Sequence, residues 1–171
     1  GAIVGYKGNG AIIHYHPEPE KCKKIEPEGI LLVDSGGQYC DGTTDITRTF
    51  ALSTPTDEQK TAYTLILKGM ISLSRATFPE GTVGAQLDTL ARQFLWAEGM
   101  NYGHGTGHGV GFYLNVHEPP QGFAPIHSER GRTVHLPGML TSNEPGYYKE
   151  GEFGMRIENL ILTTQSDKPG F

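Results

Sequence analysis

The stretch ILLVDSGGQYCDGTTDITRTFAL, residues 30–52, decides the fold of this chain. β-Branched and aromatic residues lie on both sides of Asp41-Gly42. An Asp-Gly pair between two such arms is a strong signal for a β-hairpin. The stretch therefore predicts two antiparallel strands joined by a tight turn.

The position of the loop sets the register of this hairpin. A two-residue loop at Asp41-Gly42 places Asp34 opposite Thr49. On that register Asp45 lies on the same face as Asp34 but roughly 13 Å away along the strand, too far for both carboxylates to hold one metal ion. A β-bulge at Gly36-Gly37 would have to shorten the path.

Two amphipathic helices are predicted after the hairpin. The first opens at Thr56, and Gln59 three residues later completes a capping box. Residues 79–81, Pro-Glu-Gly, end this helix. The second runs from about residue 83 to residue 97, and Gly99 ends it. Apolar residues at helical spacing predict that both helices face a core.

The remaining segments are predicted as strands and loops. Residues 10–16 are strand-like, residues 119–137 form a polar loop, and residues 138–164 form a second hairpin with its tip at Glu150-Gly151. Strands and helices are segregated along the chain rather than strictly alternating. This order predicts an α+β fold with an antiparallel sheet.

Composition excludes several function classes. The chain has 171 residues and a net charge of −5, without a basic run that would suit nucleic acid. No apolar stretch approaches the ~20 residues of a membrane span. Cys22 and Cys40 are too few for a disulfide framework, so they are expected to be ordinary buried or half-buried thiols of a protein in a reducing compartment, the cytoplasm.

Four acids lie within the apolar strands, where a carboxylate is costly unless it is paired or bound to metal. In the second hairpin, a loop at residues 149–151 would place Glu144 opposite Arg156, with Glu158 as its diagonal neighbour. Each acid alone fits a structural role. Together they would repel one another without cations, which favours a site for two divalent metals. The four acids are Asp34, Asp45, Glu144 and Glu158.

The stretch HGTGHGVGFYLNVHE, residues 104–118, holds three histidines and four glycines. Such a sequence is typical either of a glycine-rich surface loop or of a site that needs close backbone approach. One imidazole beside four carboxylates suits Mn²⁺, Zn²⁺, Co²⁺ or Fe²⁺. Outside this stretch, His16, His127 and His135 are expected at the surface or in loops.

The chain resembles the pita-bread metallopeptidases, which include methionine aminopeptidase, prolidase and aminopeptidase P. The resemblance rests on the order of five candidate ligands and on the blocks DSGGQYCDGTTDITRTF, HGTGHGVGFYLNVHE and NEPGYYKEGEFGMRIEN. The blocks look most like the three-domain Xaa-Pro aminopeptidases. The resemblance implies the pita-bread fold, incomplete here at its N-terminal side. Residues 1–171 would be part of the catalytic domain, with the N-terminal domains and the first helices absent.

The resemblance also implies a role for each candidate residue. Asp45 and Glu158 would bridge two metal ions, Mn²⁺ first and Zn²⁺, Co²⁺ or Fe²⁺ as alternatives, with a hydroxide between them as nucleophile. Glu144 would also act as general base. The implied metal ligands are Asp34, Asp45, His108, Glu144 and Glu158.

The other implied residues serve proton transfer and orientation. His117 would shuttle a proton, His14 would lie near the scissile bond, and His104 would support the site from its outer side. Arg156 and Tyr148 would orient ligands, and ordinary places in the hairpin are the alternative for both.

The function implied is removal of an N-terminal residue that precedes proline, from peptides with proline at the second position. Prolidase and methionine aminopeptidase activities are the alternatives within this chemistry. A peptide-binding or inert chain of the same fold is the alternative outside it. N-terminal domains in this family commonly contribute to dimerisation, so a homodimer is one alternative for the full-length protein. The charge pattern and the lack of a long apolar stretch predict no nucleic-acid or membrane partner.

Overall fold

A computed structural model describes all 171 residues. Strands and helices follow one another in segregated groups, so the predicted α+β class is confirmed. The elements are β1 Ala2–Tyr6, β2 Ile30–Tyr39, β3 Gly42–Ala51, α1 Asp57–Ser74, α2 Gly84–Ala97, β4 Gly107–His108, β5 Gly122–Phe123, α3 Glu129–Arg132, β6 Leu140–Asn143, β7 Gly146–Lys149, β8 Phe153–Arg156 and β9 Asn159–Leu162.

All strand pairs are antiparallel. β1, β2 and β3 form one sheet in that order, while β4–β5, β6–β9 and β7–β8 form two-stranded sheets. The strand predicted over residues 10–16 is wrong, because residues 2–6 pair with β2 instead and occupy that edge. Residues 9–11 form a short 3-10 turn, and Ile12 is exposed.

The first hairpin has a different register from the predicted one. Tyr39 pairs with Gly42, so the loop is Cys40-Asp41, one residue earlier than expected, and Gly42 begins β3. Asp34 therefore lies opposite Thr47 rather than Thr49.

This register changes the relation between the two acids of the hairpin. Asp45 lies opposite Gly36, and Asp34 lies opposite Thr47, two residues farther along β3. The acids are therefore diagonal neighbours on one face, a separation of roughly 7–8 Å between Cα atoms. The ladder runs without interruption past Gly36-Gly37, so the predicted bulge is wrong and none is needed.

Both predicted helices are confirmed. The Thr56 side chain accepts from the Gln59 amide, and the Gln59 side chain accepts from the Thr56 amide, which completes the capping box at the start of α1. Apolar side chains of both helices pack against the sheets. The main buried cluster is Ile30, Ala62, Ile66, Met70, Leu95, Tyr102, Phe153, Met155 and Ile157.

The second hairpin is present, and its loop lies one residue later than predicted. Lys149 pairs with Phe153 around residues 150–152, with Gly151 in the left-handed region at φ +74°. Arg156 therefore pairs with Gly146 rather than with Glu144.

The same register continues from β7–β8 into β6–β9. Asn143 pairs with Asn159, and the Ile157 amide donates to the Pro145 carbonyl. Glu144 and Glu158 therefore lie opposite each other where the two strand pairs meet.

Two side-chain predictions outside the site differ from the structure. His135 lies in a loop, one of the two predicted places, but it is buried and stacks on Phe123, with ring centroids 4.6 Å apart, because the loop turns inward against β5. Cys22 and Cys40 are both free and exposed, since each lies in a loop.

The outer face of the first sheet keeps apolar residues at the surface. Val4, Ile46 and Phe50 are exposed there, on the face opposite to that of Asp34 and Asp45. None of the helices combines the length and the apolar character that a membrane crossing requires.

Candidate metal centre

Three elements bring one histidine and two acids together. Asp45 projects from β3, His108 ends β4, and Glu158 follows β8. One ligand atom of each lies within 4.8 Å of the others. This is the spacing that a shared cation requires, so three of the five predicted ligands form one cluster.

Glu144 adjoins this cluster through the histidine. His108 Nε2 lies 3.2 Å from Glu144 Oε1 and 3.4 Å from Asp45 Oδ2. The Ser142 hydroxyl donates to the same Glu144 oxygen at 2.9 Å. Burial raises the pKa of Glu144, but the charge and hydrogen bond of His108 outweigh burial and hold it below its usual range.

The ring of His108 is oriented by its backbone. Nδ1 lies 2.9 Å from the Gly109 carbonyl, which accepts its proton and leaves Nε2 facing the acids. Metal-binding histidines commonly have such a second hydrogen bond. Burial alone would lower the pKa of His108, but its hydrogen bonds to Asp45 and Glu144 outweigh burial and raise the pKa to about 10.

Glu158 gives the clearest sign that a cation fits here. Its side chain is buried, and Oε2 accepts from the Thr47 hydroxyl at 2.6 Å. Oε1 has no hydrogen-bond partner. Burial, followed by the charges of Glu144 and Asp45, raises the pKa of Glu158 to about 8. An unpartnered buried carboxylate oxygen beside two further acids and an imidazole fits a divalent metal ion.

Asp34 lies on the same face but outside the three-residue cluster. Its Oδ2 accepts from Arg156 Nη2 at 2.8 Å. Burial raises the pKa of Asp34, and the Arg156 guanidinium opposes this only in part. Asp34 therefore lies beside Asp45 but forms an ion pair with the Arg156 guanidinium.

His117 and His14 border a cleft beside the acids. The His117 ring lies edge-on to the His108 ring, with centroids 4.3 Å apart. The cleft has a volume of about 480 Å³, and His14, Asp34 and Asp45 also line it. Burial and the neighbouring His108 lower the pKa of His117.

His104, Tyr148 and Arg156 form a chain of hydrogen bonds that ends at Asp34. His104 Nε2 lies 2.7 Å from the Tyr148 hydroxyl, which accepts from Arg156 Nη1 at 2.9 Å. Arg156 is fully buried, and its Nε donates to the Thr47 hydroxyl. These hydrogen bonds join His104, Tyr148 and Arg156 to the candidate ligand Asp34.

Sequence reasoning did not find Thr47 and Ser142. Each hydroxyl donates to a candidate ligand, Thr47 to Glu158 and Ser142 to Glu144. For Thr47 a usable signal existed, because strand alternation places it on the same face as Asp45. For Ser142 the same kind of signal existed, because it lies on β6 two residues before Glu144.

The glycines of the histidine stretch permit contact between backbones. A Cβ on Gly107 would lie 1.7 Å from the Ser142 carbonyl oxygen, and one on Gly109 would lie 2.2 Å from the Glu118 carbonyl oxygen. Both glycines are buried. The close approach that the sequence suggested is therefore an approach of one backbone to another.

Buried carboxylates around one imidazole in an antiparallel α+β fold fit a metal-binding protein. The sequence pattern of metallopeptidase family M24 matches residues 1–165, and the chain belongs to this family. The chain is 57% identical over 157 residues to a probable Xaa-Pro aminopeptidase P from Tuber melanosporum. It is 55% identical over 160 residues to one from Aspergillus niger. Each match covers 92% of this chain.

Solved structures show the same fold. The X-prolyl aminopeptidase from Caenorhabditis elegans, described as a cytosolic enzyme with a di-nuclear active site, superposes with a TM-score of 0.90 at 41% identity. The match covers 98% of this chain and 27% of that one. The prolidase from Pyrococcus furiosus superposes with a TM-score of 0.83 at 30% identity, over 96% of this chain and 46% of that one. The predicted pita-bread fold is confirmed.

The chain is much shorter than these relatives. It spans about a quarter of the length of the curated relatives it matches. The activity of a whole protein therefore does not follow from the comparisons alone.

Proposed function

We propose that the full-length protein is a metal-dependent aminopeptidase that cleaves the bond between an N-terminal residue and a following proline, and that this chain is part of its catalytic domain. The cluster of Asp45, His108 and Glu158, with ligand atoms within 4.8 Å of one another, carries the proposal. The names of the relatives support the proline specificity.

Five residues would hold two divalent metal ions, with Mn²⁺ as the first candidate and Zn²⁺, Co²⁺ or Fe²⁺ as alternatives. Bound there, such ions would acidify a water molecule between them and stabilise charge on the attacked carbonyl oxygen. Asp34 would exchange its contact with Arg156 for a metal. The five residues are Asp34, Asp45, His108, Glu144 and Glu158.

The remaining site residues move protons and hold the substrate. Glu144 accepts a proton, because its carboxylate is kept ionised. His117 passes a proton toward the departing amine, and a proline nitrogen needs that proton to leave. His14, on the rim of the cleft, faces the leaving group, and His104 supports Tyr148.

The full-length protein would act on peptides with proline at the second position, in the cytoplasm, as a homodimer. The free exposed cysteines agree with a reducing compartment, and the C. elegans relative is described as cytosolic. Prolidase activity is the second candidate, because the chain is 30% identical to the P. furiosus prolidase.

Three substrates separate the candidate activities. The full-length protein should hydrolyse a Xaa-Pro-Xaa tripeptide faster than a Xaa-Pro dipeptide or a Met-peptide. Faster turnover of the dipeptide would favour prolidase, and no turnover of the tripeptide would reject the proposal.

Metal analysis by mass spectrometry tests the site itself. Wild-type protein should retain divalent metal that Asp45→Asn loses, whereas Asp41→Asn in the hairpin loop should keep it. Near-zero metal in all three proteins would favour the inert alternative.

A further inference from the structure

We propose that Asp88 and Arg92 of α2 are positioning residues for the metal centre, acting through residues 102–106. This segment, which we call the 102–106 segment, directly precedes β4 in the connection from α2 and has no regular secondary structure. The inference rests on the proposed function for the supporting role of His104. Its effect on the placement of Glu144 can be tested without activity.

The pair is buried on a helix for which the sequence predicted only an apolar core face. Each side chain is 5% exposed, and Arg92 Nε donates to Asp88 Oδ2 at 2.6 Å. Burying an ion pair is costly, and apolar residues of similar volume often stabilise a fold as well or better. Packing of α2 alone therefore gives no reason for these two residues.

The remaining hydrogen bonds of the pair explain its presence. Arg92 donates to the Tyr102 carbonyl at 2.8 Å and to the His104 carbonyl at 2.6 Å. Its guanidinium also lies over the Tyr102 ring, 4.0 Å from the centroid. Asp88 Oδ1 accepts from the Thr106 hydroxyl at 2.6 Å and from its amide at 3.3 Å. The pair thus holds both ends of the 102–106 segment.

Two groups of the candidate centre depend on that segment. His104 lies on it, and its Nε2 contacts the Tyr148 hydroxyl at 2.7 Å. The Thr106 carbonyl accepts from the Glu144 amide at 2.8 Å. A shift of the 102–106 segment would therefore move His104 and the backbone of Glu144 together. Neither Asp88 nor Arg92 belongs to the metal-ligand cluster, so their influence passes through the segment.

The experiment compares Asp88→Asn and Arg92→Lys with the double variant Asp88→Leu/Arg92→Met in the full-length protein. Asp57→Asn is the control, because Asp57 and Lys60 form an exposed ion pair on α1. Thermal unfolding reports the fold, and calorimetric titration with Mn²⁺ reports the site. Amide hydrogen exchange at Glu144 reports its contact with Thr106.

We expect each variant of the buried pair to weaken Mn²⁺ binding about 10–100-fold, the usual effect of losing an outer-shell contact. Exchange at the Glu144 amide should quicken in the same variants. The double variant is decisive, because apolar replacement should retain more thermal stability than the single variants without restoring Mn²⁺ affinity. The control should match wild type in all three measurements.

The failures are distinguishable. Mn²⁺ affinity within twofold of wild type in all buried-pair variants, with unchanged Glu144 exchange, would overturn the inference. If the wild type binds Mn²⁺ but cleaves no Xaa-Pro peptide, the proposed function fails while the affinity comparison still decides the inference. If the wild type binds no Mn²⁺, the rate of amide hydrogen exchange at Glu144 decides the inference.

Discussion

His108 Nε2 lies between two carboxylates, 3.2 Å from Glu144 Oε1 and 3.4 Å from Asp45 Oδ2. In the metal-free protein these acids outweigh burial and raise the pKa of His108 to about 10. Burial, with neighbouring acids, raises the pKa of Glu158 to about 8. At neutral pH both residues therefore hold a proton that a metal ion must displace.

Metal binding should release about two protons at pH 7, because both ligands must lose their protons before they coordinate. At pH 9, above the pKa of Glu158 but below that of His108, the release should fall to about one. Affinity should therefore rise with pH across this range. Calorimetry with Mn²⁺ in two buffers of different ionisation enthalpy measures the number directly.

The control for this measurement is His127→Ala, which removes an exposed histidine far from the acids in sequence. It should release the same number of protons as wild type. Metal binding without proton release at pH 7 would show that His108 and Glu158 are not both ligands.

Tyr148→Phe tests the hydrogen-bond chain at the site. The hydroxyl joins His104 Nε2 to Arg156 Nη1, and its loss leaves buried polar groups without a partner. Peptide hydrolysis should fall about 10–100-fold while metal content stays unchanged. Thermal unfolding should show that the free energy of unfolding falls by about 1–2 kcal/mol.

Tyr147→Phe is the matched control for this variant. Strand alternation places Tyr147 on the opposite face of β7, where its ring packs near Phe153. It should retain near wild-type hydrolysis. Equal losses in the two variants would mean that the Tyr148 hydroxyl has no particular role at the site.

The sequence indicated which acids the structure brings close together, but it did not indicate their separations. Asp34, Asp45, Glu144 and Glu158 were singled out because a carboxylate inside an apolar strand needs a partner, a property that does not depend on register. Their separations did depend on register. A shift of one residue in each hairpin loop changed every facing pair, because strand pairing depends on where the turn begins.

Contacts between segments far apart in the sequence could not be predicted from it. Thr47 and Glu158 are 111 residues apart, and no local pattern joins them. Asp88 and Arg92 were treated as part of an amphipathic helix, because helical spacing shows which face a residue takes but not which loop will cover it. The helices themselves were predictable, since the Thr56–Gln59 capping box is a local signal.

Gln38→Leu tests how the loop that carries His117 is held. Gln38 Oε1 accepts from the Leu114 amide at 3.0 Å. Leu114 and Asn115 have φ values of +59° and +51°, a left-handed backbone that non-glycine residues rarely adopt without support. Without the anchor, exchange at the Leu114 amide should quicken. Hydrolysis should fall about tenfold, because a misplaced reacting group is costly.

The control for the loop is Gln93→Leu, which changes an exposed glutamine on α2. It should leave the exchange of the Leu114 amide as in wild type. Unchanged exchange in Gln38→Leu as well would show that Gln38 does not hold the loop.

Gly107→Ala distinguishes two reasons for the glycines beside His108. A Cβ at Gly107 would lie 1.7 Å from the Ser142 carbonyl oxygen, whereas one at Gly103 would meet nothing within 4 Å. Because backbone atoms cannot move aside cheaply, Gly107→Ala should destabilise the metal-free protein by about 3 kcal/mol or more. Gly103→Ala should have little effect. If the glycines instead served only to make room for cations, Gly107→Ala would weaken Mn²⁺ binding and leave metal-free unfolding unchanged. Thermal unfolding with and without Mn²⁺ separates these outcomes.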